Sequence, residues 1–152
     1  MTSEQRMVST VARAETQSET LAEKAKSLGI KFFLVSYTDL LGGTRAKLVP
    51  AAKIASVEAA GAFFSSFASN LGLGPDAAEI AAIPDPDSLI QLPWEPTVGW
   101  VASEVYFEGE PFPAAPRMIL NRVLGQCADL GYTYKAGVEA EFFLLKKTEK
   151  GY

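Results

Sequence analysis

The 152-residue sequence predicts an α+β fold, in which a mixed or antiparallel sheet carries a helix on one face. Runs rich in aromatic and β-branched residues at 31–38, 88–92 and 97–107 are typical of strands. Apolar residues at helical spacing predict helices over about 17–28 and 117–130. Glycines and prolines separate these segments where turns are expected.

The first helix is expected to begin at a capping box at 16–19 and to end at Gly29. After the strand at 31–38, paired glycines predict a turn at 39–43 and a return strand over 45–49. Within this hairpin, we expect Asp39 to shape the turn through side-chain hydrogen bonds rather than to catalyse a reaction.

A second helix is expected between Pro50 and Gly61, with Ile54 and Val57 facing inward. The stretch 63–87 is interrupted by glycines and prolines, and its segments 71–76 and 84–87 predict ordered loops. Its glycines do not match a phosphate-binding loop, because no Lys-Ser/Thr pair follows them.

The C-terminal part of the sequence predicts a helix with one apolar side, followed by a long strand over 133–145. The predicted apolar side consists of Ile119, Val123, Cys127 and Leu130. One helix and one strand leave most of their apolar surface uncovered, so they cannot form a domain alone.

Three parts are therefore predicted along the chain. Residues 1–15 are a polar tail that is expected to be disordered, and residues 16–112 form a small α+β domain. A proline-rich connector leads into residues 113–152, the expected start of a further domain. On this interpretation the sequence looks cut short.

Composition excludes several classes of function. A net charge of −4 without a run of Lys or Arg argues against nucleic-acid or anionic-membrane partners, and no apolar stretch reaches the roughly 20 residues of a membrane span. The single cysteine, Cys127, excludes an internal disulfide and favours a cytoplasmic location. The absence of histidine removes Ser-His-Asp catalysis and the commonest zinc ligand.

Two carboxylates, Glu139 and Glu141, stand two residues apart in the apolar run 137–145. If this run is a strand, both side chains point to the same face, where burying them together would be costly without a cation. Oxygen ligands suit a hard divalent ion. The alternative is a strand face in water, since exposed glutamates are common.

The order of several short motifs over residues 30–145 resembles the N-terminal part of the glutamine synthetase family. These motifs are Tyr-Thr-Asp at 37–39, Gly-Thr-Arg at 43–45, Val-Pro at 49–50, Ile-Pro-Asp at 83–85, Pro-Arg at 116–117 and Gly-Val-Glu-Ala-Glu-Phe at 137–142. The segments 33–40 and 91–94 are most similar to the type III-like branch that includes γ-glutamylmethylamide synthetases.

The resemblance implies a β-grasp domain to about residue 112, a catalytic domain beginning near Pro116, and a homo-oligomeric ring with active sites between subunits. It implies that Glu139 and Glu141 help to hold two Mg or Mn ions. The Glu141 ion would position glutamate and the amine, and the Glu139 ion would bind the phosphates of ATP. The implied reaction joins an amine to the γ-carboxylate of glutamate through an acyl phosphate.

The sequence departs from the family pattern in one loop. Phe67, Ala68, Ser69 and Asn70 stand where the family often has Phe-Asp-Gly-Ser-Ser, a loop that reaches the neighbouring subunit's site. Without its Asp, the loop takes a charge partner from ammonium and leaves room for an alkylamine, which favours an amine such as methylamine over ammonia.

The family's remaining metal ligands, nucleotide pocket and glutamate-binding arginines lie beyond residue 152, and no histidine is present to serve as its metal-binding histidine. We therefore expect this chain alone to be inactive. Two other interpretations remain open: a non-catalytic β-grasp interaction module, and a truncated regulatory paralogue.

Overall fold

A 13-residue strand, β6 (Glu95–Phe107), lies at the centre of a mixed sheet within residues 19–151, the part of the chain that the computed structural model describes. It pairs in parallel with β1 (Phe32–Thr38) and antiparallel with β4 (Ile80–Pro84). In the parallel pair Phe32 faces Val98 and Ser36 faces Ala102. The central strand therefore joins the two halves of the sheet.

Shorter strands complete the sheet on both sides. β2 (Thr44–Pro50) pairs antiparallel with β1, and β3 (Ala62–Phe64) pairs antiparallel with β4. The main strand order is therefore β2-β1-β6-β4-β3. β5 (Ile90–Leu92) and β7 (Glu110–Pro111) also pair with β6. The predicted hairpin of β1 and β2 is confirmed.

The first helix, α1 (Leu21–Leu28), begins later than the sequence predicts. Its capping box uses Thr20 and Glu23: the Thr20 hydroxyl accepts from the Glu23 N–H, and the Glu23 carboxylate accepts from the Thr20 N–H. The predicted box at 16–19 reaches into residues 1–18, which lie outside the described residues, as does the whole of the predicted disordered tail. Gly29 ends the helix in the left-handed region, as predicted.

Two apolar clusters form the core. The first lies where α1 and α2 (Ile54–Ala60) cover the sheet, and it includes Leu21, Phe33 and Ile54, none of which is exposed. Each such side chain stabilises the fold by roughly 1.5–3 kcal/mol relative to exposure. The second cluster lies at the other end of the sheet. Its members are Tyr37, Leu71, Ile80, Ala82, Val105 and Ala115.

β3 and β4 lie within or beside the stretch 63–87 and were not predicted from the sequence. Both are short strands whose stability comes from pairing with distant residues: Ala82 faces Ala62 on one side and Val105 on the other. Local patterning does not register such pairing. The predicted loop at 71–76 is confirmed, since residues 65–79 form turns and bends. The predicted loop at 84–87 contains the last residue of β4 and the start of a short 3-10 turn, Pro86–Ser88.

Two predictions for the C-terminal part of the chain are wrong: the burial of the last helix and the strand at 133–145. The last helix, α3 (Pro116–Asp129), has no buried residue, and the predicted apolar side is exposed at Ile119, Val123 and Leu130. The predicted strand at 133–145 carries no regular secondary structure, and its residues are exposed. A strand needs a hydrogen-bonded neighbour, and none of the described strands pairs with this segment. Across residues 19–151, no helix is long and apolar enough to cross a membrane.

Candidate functional site

Asp39 is a buried carboxylate at the end of β1, and four donors surround it. Its Oδ1 accepts from the backbone N–H groups of Leu41 (3.0 Å) and Gly43 (2.8 Å). Its Oδ2 accepts from Arg45 Nε (2.9 Å) and Asn70 Nδ2 (3.0 Å). The Asn70 hydrogen bond, followed by those from Arg45 and the two backbone groups, lowers the pKa of Asp39 to about 2. The prediction that Asp39 shapes its turn is confirmed.

The Asn70 contact connects this turn to the loop 66–71, which is 31 residues away in sequence. Two more bonds join the same segments: the Leu40 N–H donates to the Asn70 carbonyl (3.2 Å), and the Tyr37 hydroxyl donates to the Ser69 carbonyl (3.2 Å). Asn70 has a φ of +53°, a left-handed conformation that asparagine tolerates better than most residues. The loop is thus fixed at its C-terminal end.

The four loop residues singled out from the sequence divide into an anchored pair and an exposed pair. Ser69 is fully buried, and its hydroxyl donates to the Ser66 carbonyl at 2.6 Å. Asn70 is partly buried and bound to Asp39. By contrast, the Phe67 side chain is 69% exposed, and Ala68 is exposed as well. The loop therefore presents an aromatic tip from a rigid base.

Glu139 and Glu141 lie in the irregular segment after α3, and both are exposed. The expectation that they lie in a buried strand is therefore wrong for this structure. Among residues 19–151, no group of three or more His, Cys, Asp or Glu side chains is placed to hold a metal ion. The oxygen chemistry of the two glutamates fits a hard divalent ion, but two ligands do not complete a site.

A groove of about 320 Å³ lies between β1, β6 and the start of α3. Ser103 and Arg117 line it, and within residues 19–151 Ser103 Oγ and Arg117 Nε have no hydrogen-bond partner. However, the Arg117 guanidinium already pairs with Asp85 at 2.7 Å, and the groove lining is mostly apolar. The groove therefore offers little charge for a phosphate or carboxylate.

Sequence reasoning missed the bond between Asp39 and Asn70. It placed Asp39 in a turn and Asn70 in a separate loop, and nothing local links them. The available signal was indirect, because asparagine tolerates the left-handed conformation that turns in such loops often require.

Comparison with known proteins assigns a family to this arrangement. The family model for the glutamine synthetase catalytic domain matches residues 113–152. A glutamine synthetase of Rhizobium leguminosarum bv. phaseoli is 47% identical over 125 residues, which cover 82% of this chain. The chain belongs to the glutamine synthetase family. This glutamine synthetase-family chain also resembles a glutamate–methylamine ligase of Methyloversatilis universalis, with 33% identity over 122 residues and 79% of the chain covered.

Solved structures agree with this assignment. The structure named GmaS/ADP complex-Conformation 1 matches with a TM-score of 0.72 and 56% identity, and the match covers 74% of this chain. The α+β prediction is confirmed as a mixed sheet with a few helices of the glutamine synthetase type. The chain spans less than a third of these relatives: 29% and 28% of the two ligases, and 26% of the solved chain.

Proposed function

We propose that this chain is the N-terminal portion of an ATP-dependent ligase that joins an amine to the γ-carboxylate of glutamate. The proposal rests on the similarity of this chain to both a glutamine synthetase and a glutamate–methylamine ligase. Residues 16–112 would form a β-grasp domain, supported by the β1–β2 hairpin and the parallel pairing of β1 with β6. Residues 113–152 would begin the catalytic domain, supported by the family-model match.

The proposed reaction has two steps. The γ-carboxylate of glutamate attacks the γ-phosphorus of ATP, forming an acyl phosphate and releasing ADP. The amine nitrogen then attacks the acyl carbon, loses a proton, and displaces phosphate to form the amide. Both steps develop negative charge on phosphate oxygens, so the complete site needs cationic groups near them.

Glu139 and Glu141 would supply carboxylate ligands to Mg or Mn ions in the complete enzyme. Bound ions of this kind neutralise the charge of the transferring phosphoryl group and orient the substrates. The glutamates have the right donor atoms, but further ligands are required to close a site. We therefore propose that residues 1–152 do not catalyse the reaction unaided.

The loop 67–70 would contribute to amine selection in a neighbouring subunit of a ring. Two features support this proposal: Phe67 is exposed at the loop tip, and the loop carries no carboxylate. The nearby Asp39 cannot serve as a partner for ammonium, because four donors occupy its two oxygens. A loop without a carboxylate offers ammonium no charge partner and leaves room for an alkyl group, so it favours an alkylamine such as methylamine.

Steady-state kinetics of the complete enzyme test the proposal. We expect continuous ADP formation over many turnovers to require both glutamate and an amine, with a higher kcat/KM for methylamine than for ammonia. Glutamate labelled with ¹⁸O in the γ-carboxylate should transfer one labelled oxygen to the released phosphate, because the acyl phosphate passes that oxygen on. A strong preference for ammonia would contradict the amine assignment, and unlabelled phosphate would contradict the acyl phosphate.

A further inference from the structure

The Asp39–Asn70 hydrogen bond links the β1–β2 turn to the loop 67–70. Three of the four donors to Asp39 come from its own turn or from β2: Leu41, Gly43 and Arg45. The fourth, Asn70, comes from the distant loop. A carboxylate that served the turn alone would not need this donor, since the other three already reach both of its oxygens.

The loop depends on this link more than the turn does. Asn70 is held in the left-handed region, which costs backbone energy unless the surroundings compensate. Its side chain and its carbonyl oxygen both bond to the β1–β2 turn, at 3.0 Å and 3.2 Å. The exposed tip at Phe67 lies only three residues away, so the position of the tip follows from the conformation at Asn70.

We infer that Asp39 is a positioning residue for amine recognition, acting through Asn70 to fix the loop 67–70. The inference rests on the proposed function, because the loop is assigned to amine selection there. Asp39 itself does not touch the amine: it is 1% exposed, and its oxygens are occupied. Its effect reaches the substrate only through the loop.

The test uses the complete enzyme with Asn70→Ala and Asp39→Asn. Each change removes or weakens the link, and we expect the KM for methylamine to rise roughly 3- to 10-fold, the effect of losing one hydrogen bond. The KM for ATP and kcat should stay within about twofold, because the chemical centre is not altered. The double variant should raise the amine KM no further than the stronger single variant, since both act on one bond.

Ser36→Ala is the matched control. The Ser36 hydroxyl is buried and donates to the Val101 carbonyl at 3.0 Å, a bond that joins β1 to β6 without contacting the loop. This variant loses a buried hydrogen bond but should leave the amine KM unchanged. If Asp39→Asn fails to fold, Asn70→Ala carries the test, because its side chain is outside the hairpin.

The outcomes separate the two proposals. If the wild-type enzyme ligates methylamine and Asn70→Ala leaves the KM for methylamine unchanged, the positioning role is overturned. The ligase proposal then still stands. The same holds if kcat falls while the KM values for methylamine and ATP stay unchanged, as expected of a protein that is partly unfolded. Wild-type enzyme that ligates no amine would overturn both.

Discussion

Arg117 Nη2 donates to Asp85 Oδ2 at 2.7 Å, and this ion pair joins the end of β4 to the first turn of α3. Both side chains are largely buried. The two residues belong to separate short motifs of the sequence, Ile-Pro-Asp and Pro-Arg. Because α3 lies within the residues that match the catalytic-domain model, the pair connects that region to the sheet.

Removing this ion pair should destabilise the fold. Asp85→Asn keeps a side-chain oxygen that can accept from the Asp87 N–H, but it removes the charge that faces Arg117. We expect a loss of about 1.5–3 kcal/mol in the free energy of unfolding, typical of a hydrogen bond between charged groups. Urea denaturation measures it. Asp129→Asn, at an exposed position, should change stability by less than about 0.5 kcal/mol. Equal effects of the two variants would contradict this role.

The carboxylate of Asp39 should make stability depend on acid. Its pKa in the folded chain is about 2, below the ordinary value of 3.8, chiefly because Asn70 donates to it. A lowered pKa stabilises the fold above the unfolded-state pKa, and the contribution is lost as the pH falls through the folded-state pKa. The midpoint of urea denaturation should thus differ most between wild type and Asp39→Asn above about pH 5. This difference should disappear as the pH falls from about 4 to 2.

Asn70→Ala is the companion variant for this pH series. It removes the main donor that lowers the pKa of Asp39, so the folded-state pKa should rise toward its ordinary value. The acid-induced loss of stability should therefore be smaller than in wild type and should be complete at a higher pH. A midpoint difference for Asp39→Asn that stays constant down to about pH 2 would refute the linkage.

Gly61 should not tolerate a side chain. It has a φ of +83°, and a Cβ built there would lie 2.9 Å from the Ala81 Cβ on β4. Gly61→Ala should therefore cost about 1–3 kcal/mol of stability from strain and overpacking together. Gly29→Ala is the comparison, because Gly29 has a φ of +71° but no atom within 4 Å of the added Cβ. It should cost only the backbone strain, about 1 kcal/mol. A Gly29→Ala loss as large as that of Gly61→Ala would exclude the steric contribution.

Replacing either glutamate of the C-terminal segment should weaken metal binding in the complete enzyme. Glu139→Gln and Glu141→Gln each remove one charged oxygen ligand. Losing a residue that only hydrogen-bonds to a metal ligand lowers metal affinity by roughly 10- to 100-fold, so we expect Mn²⁺ affinity to fall by at least that much. Calorimetric titration measures the affinity. Glu149→Gln, an exposed neighbour in the same segment, is the control.

Residues 1–152 alone should bind Mn²⁺ weakly, because two ligands do not complete a site. Tight stoichiometric binding by this chain would contradict the two-ligand assignment.

Several elements could be predicted from local patterning because their determinants are local. β1 and β6 have strand-forming residues in long runs, and α1 has a helix-stop glycine and an apolar stripe. The turn at Asp39 was likewise predictable, since three of its four donors lie within six residues of it. The family motifs also identified the glutamine synthetase family from the sequence.

The remaining features depend on contacts between distant residues. β3 forms because it pairs with β4, and β4 because it also pairs with β6; the Asp39–Asn70 bond spans 31 residues. In contrast, the apolar run at 133–145 has the composition of a strand but no pairing partner among residues 19–151, so it stays irregular. Side-chain periodicity sets only a preference; a backbone becomes a strand, and a loop becomes fixed, when another segment satisfies its hydrogen bonds.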